Sequence, residues 1–197
     1  MKNSKKFIFF LIGLLICLLL FSIVQIYAKY ITASTGKTNL TIAKWNITVN
    51  NKSIKNNSDI SSSIVPVFEG NDNISAGIIA PTATGYFDLD FDFTDTDVSF
   101  KYEINVSASE NSSVTDLVST GYSIDDGEIV EFDTFNQTIS DTILLNSNIK
   151  QRKIRVFILW NDDDLTSTMS NEDDTLSTKS DNPALLDVNI SFTQIAE

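Results

Sequence analysis

Histidine is absent from the 197 residues, and cysteine occurs once, as Cys17. Ser-His-Asp and Cys-His catalysis both need an imidazole base, so neither mechanism is available to this chain. Zinc sites built from histidine and cysteine are excluded for the same reason. A single cysteine also excludes a disulfide within one subunit. The chemistry that remains is that of carboxylates and of cations with oxygen ligands, such as calcium.

Basic residues are scarce too, with 14 Lys and Arg against 26 Asp and Glu, which gives a formal net charge of −12. A chain this acidic repels nucleic acid, so we expect no nucleic-acid partner. Its length is that of about one domain.

The longest apolar run lies at the N-terminus, where three lysines precede the 18 uncharged and mostly apolar residues 7–24. A basic region followed by an apolar core predicts an export signal, and Ala28 is the small residue that best fits the position before a cut. The core is longer than the roughly 7 to 15 residues of a typical signal peptide and approaches the roughly 20 of a membrane span. We therefore predict that residues 1–28 are a signal peptide or a membrane anchor, and that the chain meets a membrane only through residues 7–24, if they are retained.

Cleavage after Ala28 would remove the cysteine and three lysines, leaving 11 basic and 26 acidic residues and a formal charge of −15. We expect the exported chain to begin with a flexible segment, residues 29–37, and to continue as one β domain, residues 38–197.

Apolar and polar residues alternate with a period of two through most of residues 38–197, which is typical of β-strands. Residues 38–50 are predicted as a strand with a bulge near Ala43 and Lys44, because the apolar parity changes there. Asp126 and Gly127 predict a tight hairpin turn. No segment beyond the export region shows helical spacing over ten or more residues. The predicted class is an all-β, antiparallel, jelly-roll-like β-sandwich preceded by an N-terminal hydrophobic export helix.

Two further strands are predicted near the C-terminus. Residues 153–160 ("KIRVFILW") are apolar on both parities near their end, which indicates a central strand covered on both sides. The last strand places Leu186, Val188, Ile190 and Phe192 on one face.

The stretch "GYFDLDFDFT" (residues 85–94) alternates Asp88, Asp90 and Asp92 with apolar residues. Carboxylates on one strand face do not flank a substrate bond from opposite sides, so we interpret the stretch as a half-buried strand with a solvated acidic face. The following "TDTD" allows two arrangements. A hairpin would place Asp90 opposite Lys101, whereas a crossing would take the chain to the other sheet.

A second acidic region, residues 161–183, is predicted as a solvated loop. It lacks the spacing and the glycine of an EF-hand, so calcium is the less favoured interpretation, and no other cofactor is expected. The calcium candidates are Asp162, Asp163, Asp164, Asp173 and Asp174. For Trp45 and Trp160, core packing is favoured over stacking on sugars.

Several motifs occur in a recognisable order. The export segment is followed by "YITASTGKTNLTIAKWNITVNN", by "GIIAPTATGYFDLDFDFTDTDVSFKYEI", by a strand ending in tryptophan, by an acidic loop with "DDT" and by a final alternating strand. In these features the chain resembles the TasA and camelysin family of secreted proteins of Gram-positive bacteria, which carry a SipW-type signal peptide.

The resemblance implies a jelly-roll β-sandwich, export through a dedicated signal peptidase, and assembly into extracellular fibres of the biofilm matrix. In such fibres a freed N-terminal segment, here residues 29–40, adds a strand to the next subunit, either an identical copy or a homologous matrix protein. Camelysin has been classed as a metalloprotease, but "HExxH" cannot exist without histidine, so we expect no enzyme. The alternatives are a monomeric surface module that binds glycan or calcium, and a hydrolase that uses only carboxylates.

Overall fold

A computed structural model of the chain describes residues 2–30, 41–55, 59–179 and 181–195. The chain divides into two compact units, Met1–Thr41 and Ile42–Glu197. The first contains helix α1 (Lys2–Tyr30), whose side chains are described for residues 6–20 and are exposed. Where side chains are described, no helix is both long enough and apolar enough to cross a membrane. Ala28 lies in α1, but its side chain is not described, and residues 31–37 of the predicted flexible segment lie outside the described residues.

In its described residues the second unit has nine strands and one short α-helix. These are β1 (Thr48–Val49), β2 (Lys52–Ser53), β3 (Thr84–Asp92), β4 (Phe100–Ala108), β5 (Leu117–Ile124), β6 (Val130–Glu131), β7 (Ile139–Ile143), β8 (Gln151–Trp160), α2 (Asn171–Ser177) and β9 (Leu186–Gln194). Every strand pairing is antiparallel. One sheet has the order β2-β1-β3-β8-β5-β6 and the other the order β7-β4-β9. The all-β class is therefore confirmed.

The core lies between the two sheets and follows from the alternation in the sequence. In β3, Phe87, Leu89 and Phe91 are buried, and in β4 the residues with even numbers from Phe100 to Val106 are buried. Phe91 packs edge-on against Tyr102 across the core, with ring centroids 5.4 Å apart. Burying a Phe or Leu side chain contributes roughly 1.5 to 3 kcal/mol, so these rows hold the sheets together.

Strand β3 pairs with β8 and not with β4, so the chain crosses between the sheets after Asp92. The hairpin arrangement is wrong, and Asp90 lies opposite Lys153 instead of Lys101. The connecting loop is held by a bond from the Thr96 amide to the Phe93 carbonyl, 3.0 Å long.

The predicted strand over residues 38–50 is wrong for residues 41–47, which have no regular structure, and for Asn50, which lies in a turn. Residues 38–40 are not described. The predicted bulge near Ala43 and Lys44 is therefore also wrong. The main chain of Lys44 forms hydrogen bonds with Asp97, in the loop between β3 and β4, and not with a neighbouring strand. Its amide donates to the Asp97 carboxylate at 2.9 Å, and its carbonyl accepts from the Asp97 amide at 2.9 Å.

Strand β8 is central in the larger sheet, as predicted, but it is not covered on both sides. Ile154, Val156 and Ile158 are buried on its inner face, whereas Phe157 and Leu159 are only half-buried on the outer face. No second sheet of the described residues lies above the outer face, so the apolar run does not reflect two buried faces.

The hairpin between β5 and β6 is confirmed, although its turn is one residue earlier than predicted. Asp125 and Asp126 have φ angles of 52° and 57°, and the Gly127 amide donates to the Ile124 carbonyl at 2.9 Å. These are the features of a type I′ turn, in which both central residues need positive φ.

Candidate functional site

The strongest candidate is the free edge of β9, at one side of the smaller sheet. Strand β9 pairs with β4 over nine residues, from Leu186 opposite Ala108 to Gln194 opposite Phe100. On its other side, no strand among the described residues pairs with it. A long unpaired edge is a template on which another strand can pair.

The register of β9 shows which main-chain groups face this free edge. The Ser109 amide donates to the Leu185 carbonyl at 3.0 Å, and the Ile195 amide donates to the Ser99 carbonyl at 3.0 Å. Hydrogen-bonded and non-hydrogen-bonded pairs alternate in an antiparallel ladder, so the odd residues of β9 bond to β4. The main-chain groups of Leu186, Val188, Ile190 and Phe192 therefore point toward the free edge.

The side chains of these same four residues point inward but are only half-buried. Two cavities adjoin them, of about 500 Å³ and 590 Å³, and both are lined by Ile60 and Val188. The first reaches in to the fully buried Phe87, and the second extends along β9 to Phe192. In the described part of the chain the sandwich is thus open along β9. The first cavity is mainly apolar, whereas the second is lined by both apolar and polar residues, among them Asn105 and Ser191. A strand added at this edge would pair with the four main-chain groups and place alternate side chains in the cavities.

Residues 59–68 form one wall of this opening. Phe68 reaches over β3 at Gly85, where an added Cβ would lie 2.6 Å from the Phe68 ring. The amide and carbonyl of the neighbouring Val67 bond to Tyr86 at 2.7 and 3.0 Å. Glycine at position 85 therefore lets this segment pack directly on the sheet.

The other edges of the two sheets are short or closed. In the larger sheet the outermost strands, β2 and β6, have two residues each. In the smaller sheet the opposite edge is β7, with five residues, and Asp141 at its centre points inward beside the buried Tyr102. Short edge strands and inward-pointing charges both discourage further pairing.

Arg152 of the larger sheet adds a second charge beside the inward face of β7, next to Asp141. Its guanidinium donates to Asp125 at 2.6 Å and lies 3.5 Å from Asp141 of the smaller sheet. The Tyr102 hydroxyl nearby is buried and has no hydrogen-bond partner among the described residues. Burial is the main cause that raises the pKa of Tyr102, so its hydroxyl stays neutral and the charges here are those of Arg152 and the two aspartates.

The aspartates of "GYFDLDFDFT" lie on the outer face of the larger sheet, as predicted. Arg155 donates to both oxygens of Asp88 at 2.7 and 2.8 Å, and its guanidinium stacks 4.0 Å from the centre of the Tyr86 ring. The hydrogen bonds from Arg155 lower the pKa of Asp88, against the opposing effect of burial. Asp88 is therefore an ion-pair partner across β3 and β8.

The second acidic region is a mostly exposed loop only in part. It contains α2, which begins with a capping box in which the Ser170 hydroxyl accepts from the Asp173 amide and the Asp173 carboxylate accepts from the Ser170 amide. Asp163 accepts from the Leu165 amide at 2.8 Å, and Asp164 is exposed. Two of the five calcium candidates, Asp163 and Asp173, thus accept hydrogen bonds from main-chain amides close to them in the sequence. A short helix of seven residues is too brief to produce a visible helical pattern in the sequence.

The remaining two candidates, Asp162 and Asp174, lie close together. Asp174 is buried and accepts a hydrogen bond of 3.1 Å from the Trp160 indole. Among the described residues, no group of three or more His, Cys, Asp or Glu is arranged to hold a metal ion.

The two tryptophans are core residues, as predicted. Trp160 is buried, and Trp45 packs edge-on against Phe100 with ring centroids 5.8 Å apart.

Asp116 is a structural residue that the sequence did not indicate. It is buried and accepts from the amides of Thr168 and Met169 at 2.8 and 2.7 Å, and from the hydroxyls of Ser167 and Thr168. Burial raises its pKa, but these hydrogen bonds outweigh that effect and lower it. Because its partners lie more than fifty positions away, no local pattern could have identified it.

No protein-family model matches the chain, and no curated protein matches it significantly. The likeness to the TasA and camelysin family therefore rests on the sequence motifs.

Proposed function

We propose that this chain is an exported, non-enzymatic structural protein of the cell surface or biofilm matrix, which assembles into extracellular fibres by strand addition. The observation that carries the proposal is the free edge of β9, which is nine residues long, has a row of apolar inward side chains and adjoins two cavities. The family resemblance supports the same function.

The proposed donor is residues 29–40 of another copy or of a homologous matrix subunit. A signal peptidase cut after Ala28 would free this segment, and residues 31–40 lie outside the described part of the chain. The segment carries Lys29 and Lys37 and no acidic residue, whereas the exported chain as a whole is strongly acidic. Opposite charge favours the encounter of the donor with its acceptor.

The proposed fold is a jelly-roll-like sandwich. A jelly roll packs two antiparallel sheets against each other, and the described strands form sheets of six and three strands. A donor strand beside β9 would give the smaller sheet four strands and close its open side.

The first experiment is electron microscopy of the protein recovered from the medium and surface of a producing culture, with its N-terminal residue identified by mass spectrometry. We expect ordered fibres built from chains that begin near Lys29. A soluble monomer at all salt, pH and calcium concentrations would reject self-assembly. A chain that retains residues 1–28 would indicate a membrane-anchored surface domain instead.

A matched pair of variants tests whether β9 is the assembly edge. Val188→Lys places a charge on the inward face of β9, and the half-buried position lets the ammonium reach water without unfolding the sandwich. Asn189→Lys adds the same charge one residue later, on the exposed outward face. We expect fibres to be lost with Val188→Lys and retained with Asn189→Lys. Equal loss in both variants would assign the effect to total charge and contradict the edge.

A second candidate function, a monomeric glycan-binding module, is favoured by a groove on the outer face of the larger sheet. The groove has a volume of about 620 Å³ and is lined by the aromatic rings of Tyr86, Phe132, Phe135 and Phe157. Aromatic rings offer the flat apolar faces on which sugar rings stack. Binding to cell-wall glycan by a chain that stays monomeric, with loss of binding in Phe135→Ala, would support this function.

A further inference from the structure

We propose that Asp162 and Asp174 form a calcium site beside Trp160, at the junction of β8 and α2. The inference concerns a part of the molecule away from β9 and does not rest on the proposed assembly.

The first argument is the incomplete environment of Asp174. Its side chain is 4% exposed, and its Oδ1 accepts the indole N–H of Trp160 at 3.1 Å. Its Oδ2 is also buried and has no hydrogen-bond partner among the described residues. A buried carboxylate oxygen without a partner costs roughly 1 to 3 kcal/mol or more. A cation bound to Oδ2 would remove this penalty.

The second argument is the sign of the surrounding charge. Asp162 lies within hydrogen-bonding reach of Asp174, and Asp116 is close enough to act on it through its charge. Burial is the largest cause that raises the pKa of Asp174, the Trp160 hydrogen bond opposes it, and both neighbouring aspartates raise it further. The local field therefore attracts a cation.

Calcium fits this site better than the other common metals. The chain has no histidine, and its only cysteine is Cys17 of α1, so soft ligands for zinc or copper are lacking at the site. Calcium accepts carboxylate, carbonyl and water oxygens in flexible geometry, whereas magnesium demands a near-ideal octahedron. Two carboxylates completed by water and main-chain oxygens predict weak binding, on the order of 10⁻⁴ to 10⁻³ M, as in extracellular modules.

Binding would tie the chain after β8 to α2. Asp162 follows β8 by two residues, and Asp174 lies in α2, so one ion would link both elements. A ligand that binds only the folded state stabilises it, and at 100 times the dissociation constant the gain is about 2.7 kcal/mol.

The test uses the full-length chain in a mild detergent, with terbium and calcium as probes. Terbium emits when a nearby tryptophan transfers energy to it, and Trp160 contacts the site directly. We expect saturable terbium emission that excess calcium displaces, and a melting temperature that rises with calcium. Asp162→Asn and Asp174→Asn should each weaken calcium binding by about tenfold or more, because the charge of the ligands sets the affinity.

Asp164→Asn is the matched control, since it removes an equal charge from an exposed position in the same region. We expect it to change the affinity by less than about twofold. Asp174→Asn should also melt at a higher temperature than the parent without calcium, which shows that the variant folds.

Two results would overturn the site. One is equal weakening by Asp164→Asn and Asp162→Asn, which would indicate diffuse counter-ion binding. The other is a melting temperature that responds to acid but not to calcium, which would indicate that Asp162 and Asp174 share a proton instead of a metal ion.

Discussion

The two edge strands of the smaller sheet, β7 and β9, differ in length and in the polarity of their inward side chains. Strand β7 has five residues and turns Asp141 inward, toward Arg152 of the facing sheet. Strand β9 has nine residues, and its inward side chains, Leu186 to Phe192, are all apolar. Both strands pair with the same central strand β4, so the sheet itself does not cause the difference.

Besides their length, the two edges differ in the inward side chains that an incoming strand would meet. An incoming strand at β7 would bury its own side chains beside Asp141 and Arg152, and desolvating charges is costly. The same strand at β9 would meet apolar surface, and burying it contributes roughly 25 cal/mol per Å². Edge chemistry therefore favours β9 strongly over β7.

The largest expected effect compares two phenylalanines, one at the centre of the sheet and one at its open edge. Phe100 is fully buried on β4, whereas Phe192 is half-buried on β9. We expect Phe100→Ala to lower the free energy of unfolding by about 3 to 5 kcal/mol, and Phe192→Ala by about half as much. Urea denaturation of the monomer measures both. Equal losses would mean that β9 is packed as tightly as the centre, and the comparison of the two edges would fail.

A smaller loss of stability is expected when the ion pairs beside β7 lose their cation, Arg152. Arg152→Met leaves Asp125 and Asp141 without their partner, although both carboxylates are partly exposed and regain water. We expect a loss of about 1 to 2 kcal/mol in the free energy of unfolding. Lys153→Met, on the outer face of the same strand, is the control and should cost less. If it costs more, the ion pairs at β7 do not close that edge.

The dependence of stability on pH tests the charges on the outer face of the larger sheet separately from the two edges of the smaller sheet. The pKa of Asp88 is lowered from its ordinary value of 3.8, so its contribution to stability is present above pH 3.8 and is lost as the pH falls through the lower folded-state pKa. Asp88→Asn should therefore cost about 1 kcal/mol at neutral pH and flatten the acid side of the stability curve. Fibre formation at neutral pH should be unchanged. Loss of fibres would show that the outer face, and not β9, makes the contact.

The smallest change in stability is expected when β7 is made to resemble β9. Asp141→Val removes the inward charge, while Arg152 keeps its bond to Asp125. We expect the free energy of unfolding to change by less than about 1 kcal/mol, but sedimentation should detect self-association that Val188→Lys does not abolish. A strictly monomeric Val188→Lys, Asp141→Val double variant would show that length, and not the inward charge, protects β7.

The alternation of the sequence predicted which faces are buried, because period-two burial is a local property of each strand. Phe87, Leu89 and Phe91 on β3 and the apolar row of β9 were assigned correctly for this reason. The pairing of strands was not local. "TDTD" fits a turn and a crossing equally well, so the position of β3 beside β8 could not be read from its residues.

The candidate site was predictable in part. Open edges depend on the order of strands in a sheet, and so the sequence could not identify β9 as the free edge. Asp162 and Asp174 were among five acidic candidates, but only the contact with Trp160, fourteen positions before Asp174, distinguishes Asp174 from its neighbours. The composition of an acidic run does not show which of its carboxylates is buried in the folded chain.

The register of β9 also predicts an alternating rate of hydrogen exchange along one strand. Amides at the odd positions bond to β4 and should exchange slowly, whereas those of Leu186, Val188, Ile190 and Phe192 face the free edge and should exchange quickly. When an added strand pairs with β9, only the fast set changes. A single labelled peptide covering residues 186–194 therefore records both the integrity of the sheet and the occupancy of its edge, each through a different half of its amides.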